Sequence, residues 1–410
     1  MPDDRLAPIL ADHVQKLAAA GTAKRHERVI SGVVPGSGRR GPRFLIEGHG
    51  GREFLAMNAN SYLGLGHDEE MIAAGESAVR AFGTGPGAVR FIAGTWAPHA
   101  ALEARLARFH AREAAMVFSS AYAAMMGTLP QLVTAETAVI SDELNHNCII
   151  NAVRLGAPKE KRIYPHLDMA ALERHLDEAG RTCRRAIVVT DGVFSMRGDF
   201  APLDRIGEMV RRYDPAFAEN ALLVVDDSHG VGAFGGTGRG SEEVTASPPA
   251  DLLVATLGKA LGVNGGYVAA AGAIIDFLRE TSPFYIYSNP ITPGEAAAAL
   301  TAVDILDGPR GRELLAHLAA MSARFERGLE GLGLEIIAGP HPITPLMVRD
   351  TARAMALVGR LFERGILATA IVYPVVPRGA EEIRFQISAA HTPGDIDEAI
   401  AAIGAAAAGV

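Results

Sequence analysis

The sequence predicts an α/β protein: a large domain built on a mostly parallel sheet, with a smaller α+β domain at the C-terminal end. Three observations predict it. From about residue 60, apolar runs alternate with amphipathic helical stretches, the pattern of a parallel sheet covered by helices on both faces. Several of those runs end in polar or small residues, and in such sheets the ends of the strands are where ligands bind. The chain has 410 residues, more than the roughly 250 to 300 at which one core stops growing.

Each element follows from its local pattern. "LAPILADHVQKLAAAG" has helical spacing and closes at Gly21, a glycine cap. "RFLIEGHGGREFLAMN" reads as two short strands around a Gly-rich turn. The strands of the main sheet are "AAMVFS", "TAVISD", "KRIYPH", "RRAIVVTDG", "ALLVVDDSHG" and "DLLVATLG". After "SNPITP" a long helix, "GEAAAALTAVDIL", leads away from that sheet. Three further strands, "ITPLMVRD", "GILATAIVYPV" and "EEIRFQISAA", flank a helix around "ARAMALVGRLFERG", and the alanine-rich tail continues the last helix. The expected division is an N-terminal helix and strand segment (1–58), a large domain (59–292) and a small C-terminal domain (293–410).

Composition removes several function classes. A formal charge of -8 gives no electrostatic footprint for nucleic acid, and no block of like charge suggests an anionic membrane partner. Cys148 and Cys183 are too few for a disulfide framework and lack metal-ligand spacing, so no metal is expected and neither needs a role. The first residues are acidic and no apolar stretch approaches the ~18–20 residues of a spanning helix, so a soluble cytoplasmic protein is expected. "FGTGPGAVRFIAGT" is glycine-rich, but no strand precedes it with dinucleotide-fingerprint spacing.

Two strand ends carry the chemistry. "LLVVDDSHG" sets Asp226 and Asp227 at the close of an apolar run, with His229 just beyond; "TLGKALG" sets Lys259 past the next. Taken singly, the acid is a helix N-cap and the lysine a solvated surface group. Taken together they lie one strand-helix unit apart, which brings both to one edge of a parallel sheet. Lysine forms Schiff bases, and burial lowers its pKa so that the neutral amine is available. A pyridoxal cofactor needs that lysine and an acid beside its pyridine nitrogen. Its phosphate needs N–H donors at a helix start, which "VFSSAYAAMMGTL" offers, although ordinary helix capping explains the same residues. His146 in "SDELNHNCII" is placed either to stack on the ring or to serve as a hydrogen-bonded structural residue.

The ordered motifs "ANSYLGLGHDEEMI", "VRFIAGT", "ISDELNHNCII", "TDGVFSMRGDFAPL", "VVDDSHGVGAFG", "TLGKALGVNGGY" and "EEIRFQISAAHTP" resemble the α-oxoamine synthases over about residues 15 to 400. That resemblance implies the pyridoxal-phosphate-dependent transferase fold type I, the aspartate aminotransferase type. "RFIAGT" and "YPVVPRG" with "IRFQISAAHTP" are most similar to the glycine C-acetyltransferase branch.

Position by position, the resemblance implies Lys259 as the Schiff-base lysine and Asp226 as the pyridinium partner. His229 and Ser195 would contact the phenolic oxygen, and His146 would stack on the ring. Thr256 and the amides of Ala121 and Tyr122 would hold the phosphate, with Ser288 reaching that of a neighbouring subunit in a homodimer. Asn60 and Arg384 would hold the amino acid's carboxylate. Glycine or another small amino acid would then condense with an acyl-CoA, releasing coenzyme A and an α-amino-β-keto acid or its decarboxylated aminoketone. The alternatives are the 8-amino-7-oxononanoate synthase, 5-aminolevulinate synthase and serine palmitoyltransferase types, a pyridoxal-dependent aldolase or aminotransferase, and a non-catalytic partner subunit. The chain departs from the family at Met125, where an Asn is usual, at Pro290, where a hydroxyl residue is usual, and at Arg197, where an acid is common.

Overall fold

The computed structural model describes residues 3–19, 23 and 27–408, so the expected cap at Gly21 lies outside the described residues. Fourteen strands are found among them, in three sheets. The N-terminal strands are β1 (Ile30–Val34), β2 (Arg43–Ile46) and β3 (Glu53–Ala56). The main sheet holds β4 (Ala114–Phe118), β5 (Thr137–Asp142), β6 (Glu160–Tyr164), β7 (Arg185–Asp191), β8 (Ala221–Asp226), β9 (Leu252–Thr256) and β10 (Gly266–Ala270). Towards the C-terminus lie β11 (Ile343–Met347), β12 (Ile366–Leu367), β13 (Thr369–Ile371) and β14 (Glu382–Gln386).

The main sheet runs β4-β10-β9-β8-β7-β5-β6. Its central members read as unbroken apolar runs because both faces are covered. One face packs Met116, Phe118, Leu129, Val189, Val224 and Val254 under the helices Ala121–Leu132 and Asn147–Gly156. The other packs Val188, Leu223, Val225 and Leu253 with residues of Met169–Ala179 and Leu203–Tyr213. The six strands expected from sequence are all present and parallel to one another. The seventh, β10, is not anticipated: it is antiparallel to both β9 and β4. Its reversal leaves β4 pointing the same way as β9, so the C-terminal ends of β4, β5, β7, β8 and β9 share one edge.

Two further details differ from expectation. The connection from β8 to β9 is not a full helical unit: it contains only the four-residue helix Ser241–Val244, and Asp227 fixes the rest. Its Oδ2 accepts from the Ser241 N–H at 2.7 Å and its Oδ1 from the Ser241 hydroxyl at 2.6 Å. The second is a 23-residue helix, Pro309–Gly331, which follows Pro293–Asp307.

The C-terminal sheet runs β11-β14-β13, all antiparallel, and β12 leaves it to pair in parallel with β3. The ends of the chain are therefore tied together. A buried ion pair reinforces the tie: Arg43 Nη2 lies 2.7 Å from Asp395 Oδ1, and the Gly41 N–H donates to Asp395 Oδ2. No helix among the described residues is long and apolar enough to cross a membrane.

Candidate active site

The shared strand edge bounds a cavity of about 230 Å3. Asp226 closes β8 and pairs in register with Asp191 closing β7; both are buried. Beyond β9 the chain turns at Gly258 and presents Lys259 to the same cavity, with His146, Ser195, His229, Thr256, Ala121 and Tyr122 around it. Eight positions expected from the sequence thus meet in one place. Burial, offset in part by Asp226, lowers the Lys259 ammonium to about 8, so a sizeable neutral fraction exists near neutrality.

Each neighbour is held by a definite contact. Asp226 Oδ1 accepts from the Ser228 N–H at 3.1 Å, and the Cys148 thiol lies 3.4 Å from its Oδ2. His146 caps the Asn147–Gly156 helix: its Nδ1 accepts from the Cys148 N–H, and its own N–H donates to Asp191 Oδ2 at 3.0 Å. The hydrogen-bonded structural role open in the sequence is therefore present, and His146 also lines the cavity. His229 Nδ1 is 2.8 Å from the Tyr62 hydroxyl, and its carbonyl accepts from His341 Nε2 at 2.9 Å. Burial, then the Lys259 cation, holds His229 well below the ordinary imidazole value, so the ring is neutral.

The helix Ala121–Leu132 begins at this edge with Ser120 as N-cap. The cap hydroxyl accepts from the Ala123 N–H, leaving the Ala121 and Tyr122 N–H groups without acceptors inside the helix. The approach is close because β10 opens with glycine: a Cβ on Gly266 would lie 2.2 Å from the Ala121 nitrogen. An anion at this point meets two N–H groups, the positive end of a helix and the Thr256 hydroxyl.

Other expected residues lie outside the cavity. Arg384 donates from Nη1 to the Ser195 carbonyl at 2.8 Å, standing behind the cavity wall. Asn60 reaches the site only through Tyr62, 3.4 Å from its hydroxyl. Ser288 does not line the cavity of its own chain. Among the departures, Met125 is fully buried in the core beneath the sheet and does not line the cavity. Arg197 forms an ion pair with Asp199 at 2.8 Å.

Several lining residues escaped the sequence reading. Cys148, expected to need no role, is buried against Asp226. Asp191 carried the same signal as Asp226, an acid closing an apolar strand, and Ser120 and Ser228 also line the cavity.

The residues present fit pyridoxal 5'-phosphate. Asp191 Oδ1 and Ser228 Oγ are buried without partners, the open helix terminus suits a phosphate, and a lysine of lowered pKa faces a carboxylate.

Residues 52–403 match the family model for aminotransferase class I and II, and the chain belongs to that family. A 2-amino-3-ketobutyrate coenzyme A ligase of Bos taurus is 40% identical over 97% of this chain and 91% of its own length. An 8-amino-7-oxononanoate synthase of Geobacter sulfurreducens is 41% identical over 90% of this chain and 91% of its own. Among solved structures, SPT with a PLP internal aldimine superposes with a TM-score of 0.88 at 27% identity, covering 99% of both chains. Serine palmitoyltransferase of Sphingomonas wittichii gives 0.87 at 28%, covering 99% of this chain and 98% of its own. These relatives are α-oxoamine synthases, and the chain is a pyridoxal-phosphate-dependent acyltransferase of that kind with the fold type I architecture.

Proposed function

We propose that the protein condenses glycine, or another small amino acid, with an acyl-CoA, releasing coenzyme A and an α-amino-β-keto acid or its decarboxylated aminoketone. Glycine with acetyl-CoA is the favoured pair. The observation that carries the reading is Lys259, its amine lowered to about 8, facing Asp226 across one cavity. The 40% identity to the Bos taurus ligase over nearly the whole chain favours the glycine pair.

Bound here, pyridoxal 5'-phosphate supplies an electron-withdrawing ring that stabilises negative charge on the carbon next to the substrate's amino group. Lys259 Nζ would hold the cofactor, and its amine, lowered to about 8, would be the base for the substrate's α-proton. Asp226, steadied by the Ser228 amide and the Cys148 thiol, would hold a proton on the ring nitrogen. His146, lining the cavity, would lie against the ring and help to keep water from it. His229, neutral and fixed by Tyr62, and Ser195 would address the phenolic oxygen, while Ala121, Tyr122 and Thr256 would bind the phosphate. Arg384, with Asn60 beside Tyr62, would take the amino acid's carboxylate by turning from the Ser195 carbonyl that it holds here, a planar fork suited to a planar anion.

A second reading, 8-amino-7-oxononanoate synthase, is favoured by the 41% identity to the Geobacter sulfurreducens enzyme. We further propose three domains (1–58, 59–292 and 293–410) and a homodimer with sites at the interface. The exposure of Phe91, Ile92 and Tyr287 supports the dimer, and Ser288 adjoins Tyr287. We place the protein in the cytoplasm on composition, although the Bos taurus relative is named as mitochondrial.

The test is release of coenzyme A thiol by the cofactor-loaded protein, with glycine, alanine and serine each set against acyl-CoAs of increasing length. Release with glycine and acetyl-CoA above all others is the expected result. A preference for alanine with a long acyl donor selects the second reading. Turnover without any coenzyme A substrate makes the enzyme an aldolase or aminotransferase.

A further inference from the structure

A second cavity, of about 370 Å3, adjoins the first, and Ser195 lines both. Its wall is mainly apolar: Leu144, Phe194, Met196, Ile337, Met347 and Val375. Its polar lining is Glu143, Asn145, Ser195, Arg197 and Glu382, of which Glu382 lies on β14, two residues before Arg384 and on the same face of that strand.

Glu382 is 2% exposed, and its carboxyl makes no hydrogen bond among the described residues; Oε1 is wholly shielded. The charged groups around it do not satisfy it. Arg384 donates to the Ser195 carbonyl, and Arg197, on the loop after β7, is paired with Asp199. Glu143, after β5, lines the same cavity and adds negative charge. A buried acceptor without a donor costs about 1–3 kcal/mol. Buried polar groups in native proteins are otherwise paired, and one left open beside an active site calls for a partner from outside the chain.

We propose, resting on the condensation reaction above, that this cavity is a substrate subsite and Glu382 its recognition group. It takes a hydrogen-bond-donating end, hydroxyl or ammonium, carried on a short apolar spacer. The spacer packs on Phe194, Met196 and Val375 while the donor reaches the carboxyl. A carboxylate-tipped substrate is disfavoured, because it would meet two acidic groups, Glu143 and Glu382, and one cation, Arg197, already paired with Asp199; burial raises Glu382 to about 7, so the disfavour is fullest above that pH. The donor belongs either to the acyl group or to the amino acid's side chain.

Coenzyme A release by the loaded enzyme separates these two sources. With glycine held constant, butyryl-CoA is compared with its 4-hydroxy and 4-amino derivatives and with succinyl-CoA. With acetyl-CoA held constant, 2-aminobutyrate is compared with homoserine and 2,4-diaminobutyrate. In one series the donor-bearing substrate is expected to exceed the plain one at least tenfold in kcat/KM, with succinyl-CoA the poorest acyl donor. Glu382→Leu is expected to bring that ratio to near one. Glu382→Gln is expected to retain the hydroxyl preference while losing the ammonium preference, and it supplies the comparison if the leucine variant folds poorly. A ratio near one in both series, a ratio unchanged in both variants, or succinyl-CoA used as readily as the best donor overturns the subsite. Release confined to glycine with acetyl-CoA overturns the subsite alone. No release from any pair, that one included, overturns the reaction beneath it as well.

Discussion

Lys259 stands where a fully solvated amine would be unreactive near pH 7, and burial in the cavity corrects that. Because its ammonium is lowered to about 8, the neutral amine dominates above that pH and the protonated form below it. The cofactor-free protein should therefore take up pyridoxal phosphate faster as pH rises through about 8, with a plateau above; stopped-flow absorbance checks this. Lys259→Ala should lose the visible absorbance of the lysine-bound cofactor and about 10^3-fold in coenzyme A release, with circular dichroism unchanged. Lys259, Asp226 and His229 were legible in the sequence because small or polar residues puncture apolar runs there. Cys148 and Tyr62 were not: a thiol inside a helical run and a tyrosine some 170 residues before its histidine partner look like core until the fold sets them in place. The Cys148 thiol has a measurable consequence. Cys148→Ala should shift the pH dependence of the bound cofactor's spectrum, while Cys148→Ser, which still donates to Asp226, should stay near the parent.

The elements around the site act through where they end. The Ala121–Leu132 helix presses its first N–H groups against the sheet only because position 266 has no side chain. Gly266→Ala should move that terminus and weaken cofactor binding at least tenfold, read by fluorescence titration. Gly85→Ala, where an added Cβ meets nothing within 4 Å, should leave it unchanged. The end of β5 and the loop after β7 are joined by His166, 3.0 Å from Asp142 and 3.2 Å from Asp199. Burial alone would lower this imidazole, but its hydrogen bonds to both carboxylates outweigh that and raise it to about 9. A folded-state value above the ordinary 6.5 means its stabilisation is complete below about pH 6.5 and is lost as pH rises through 9. Allowing for partial exposure, His166→Asn should cost about 2 kcal/mol at pH 6 and little at pH 9.5, measured by urea unfolding. Most strands were readable from alternation of apolar runs with helices. β10 was not, since five small and apolar residues directly after a Gly-rich loop carry no sign of their direction.

At the scale of the whole molecule, the two ends of the chain meet: β3 pairs with β12, and the buried Arg43 and Asp395 close the contact. Breaking one half of such a pair leaves an uncompensated charge, so Asp395→Ala should lose about 3–5 kcal/mol in denaturant unfolding. Local patterns could not show this, because 352 residues separate the partners. The fold class, by contrast, was legible from periodicity alone, since alternating apolar runs and amphipathic helices have few other ways to bury their faces. A homodimer is expected to sediment at twice the 43.1 kDa of the chain and to lose activity on dilution. The reversed strand between β4 and β9 also sets a timetable. Among the described residues β4 has no partner in its own sheet other than β10, which leaves the ribosome about 150 residues later. The anion-binding end of the site is therefore among the first parts synthesised and among the last completed. A nascent chain halted before residue 266 should hold Ala121 and Tyr122 without a platform beneath them and should fail to retain pyridoxal phosphate. Added cofactor should then speed the closing steps of refolding and leave the earliest collapse untouched.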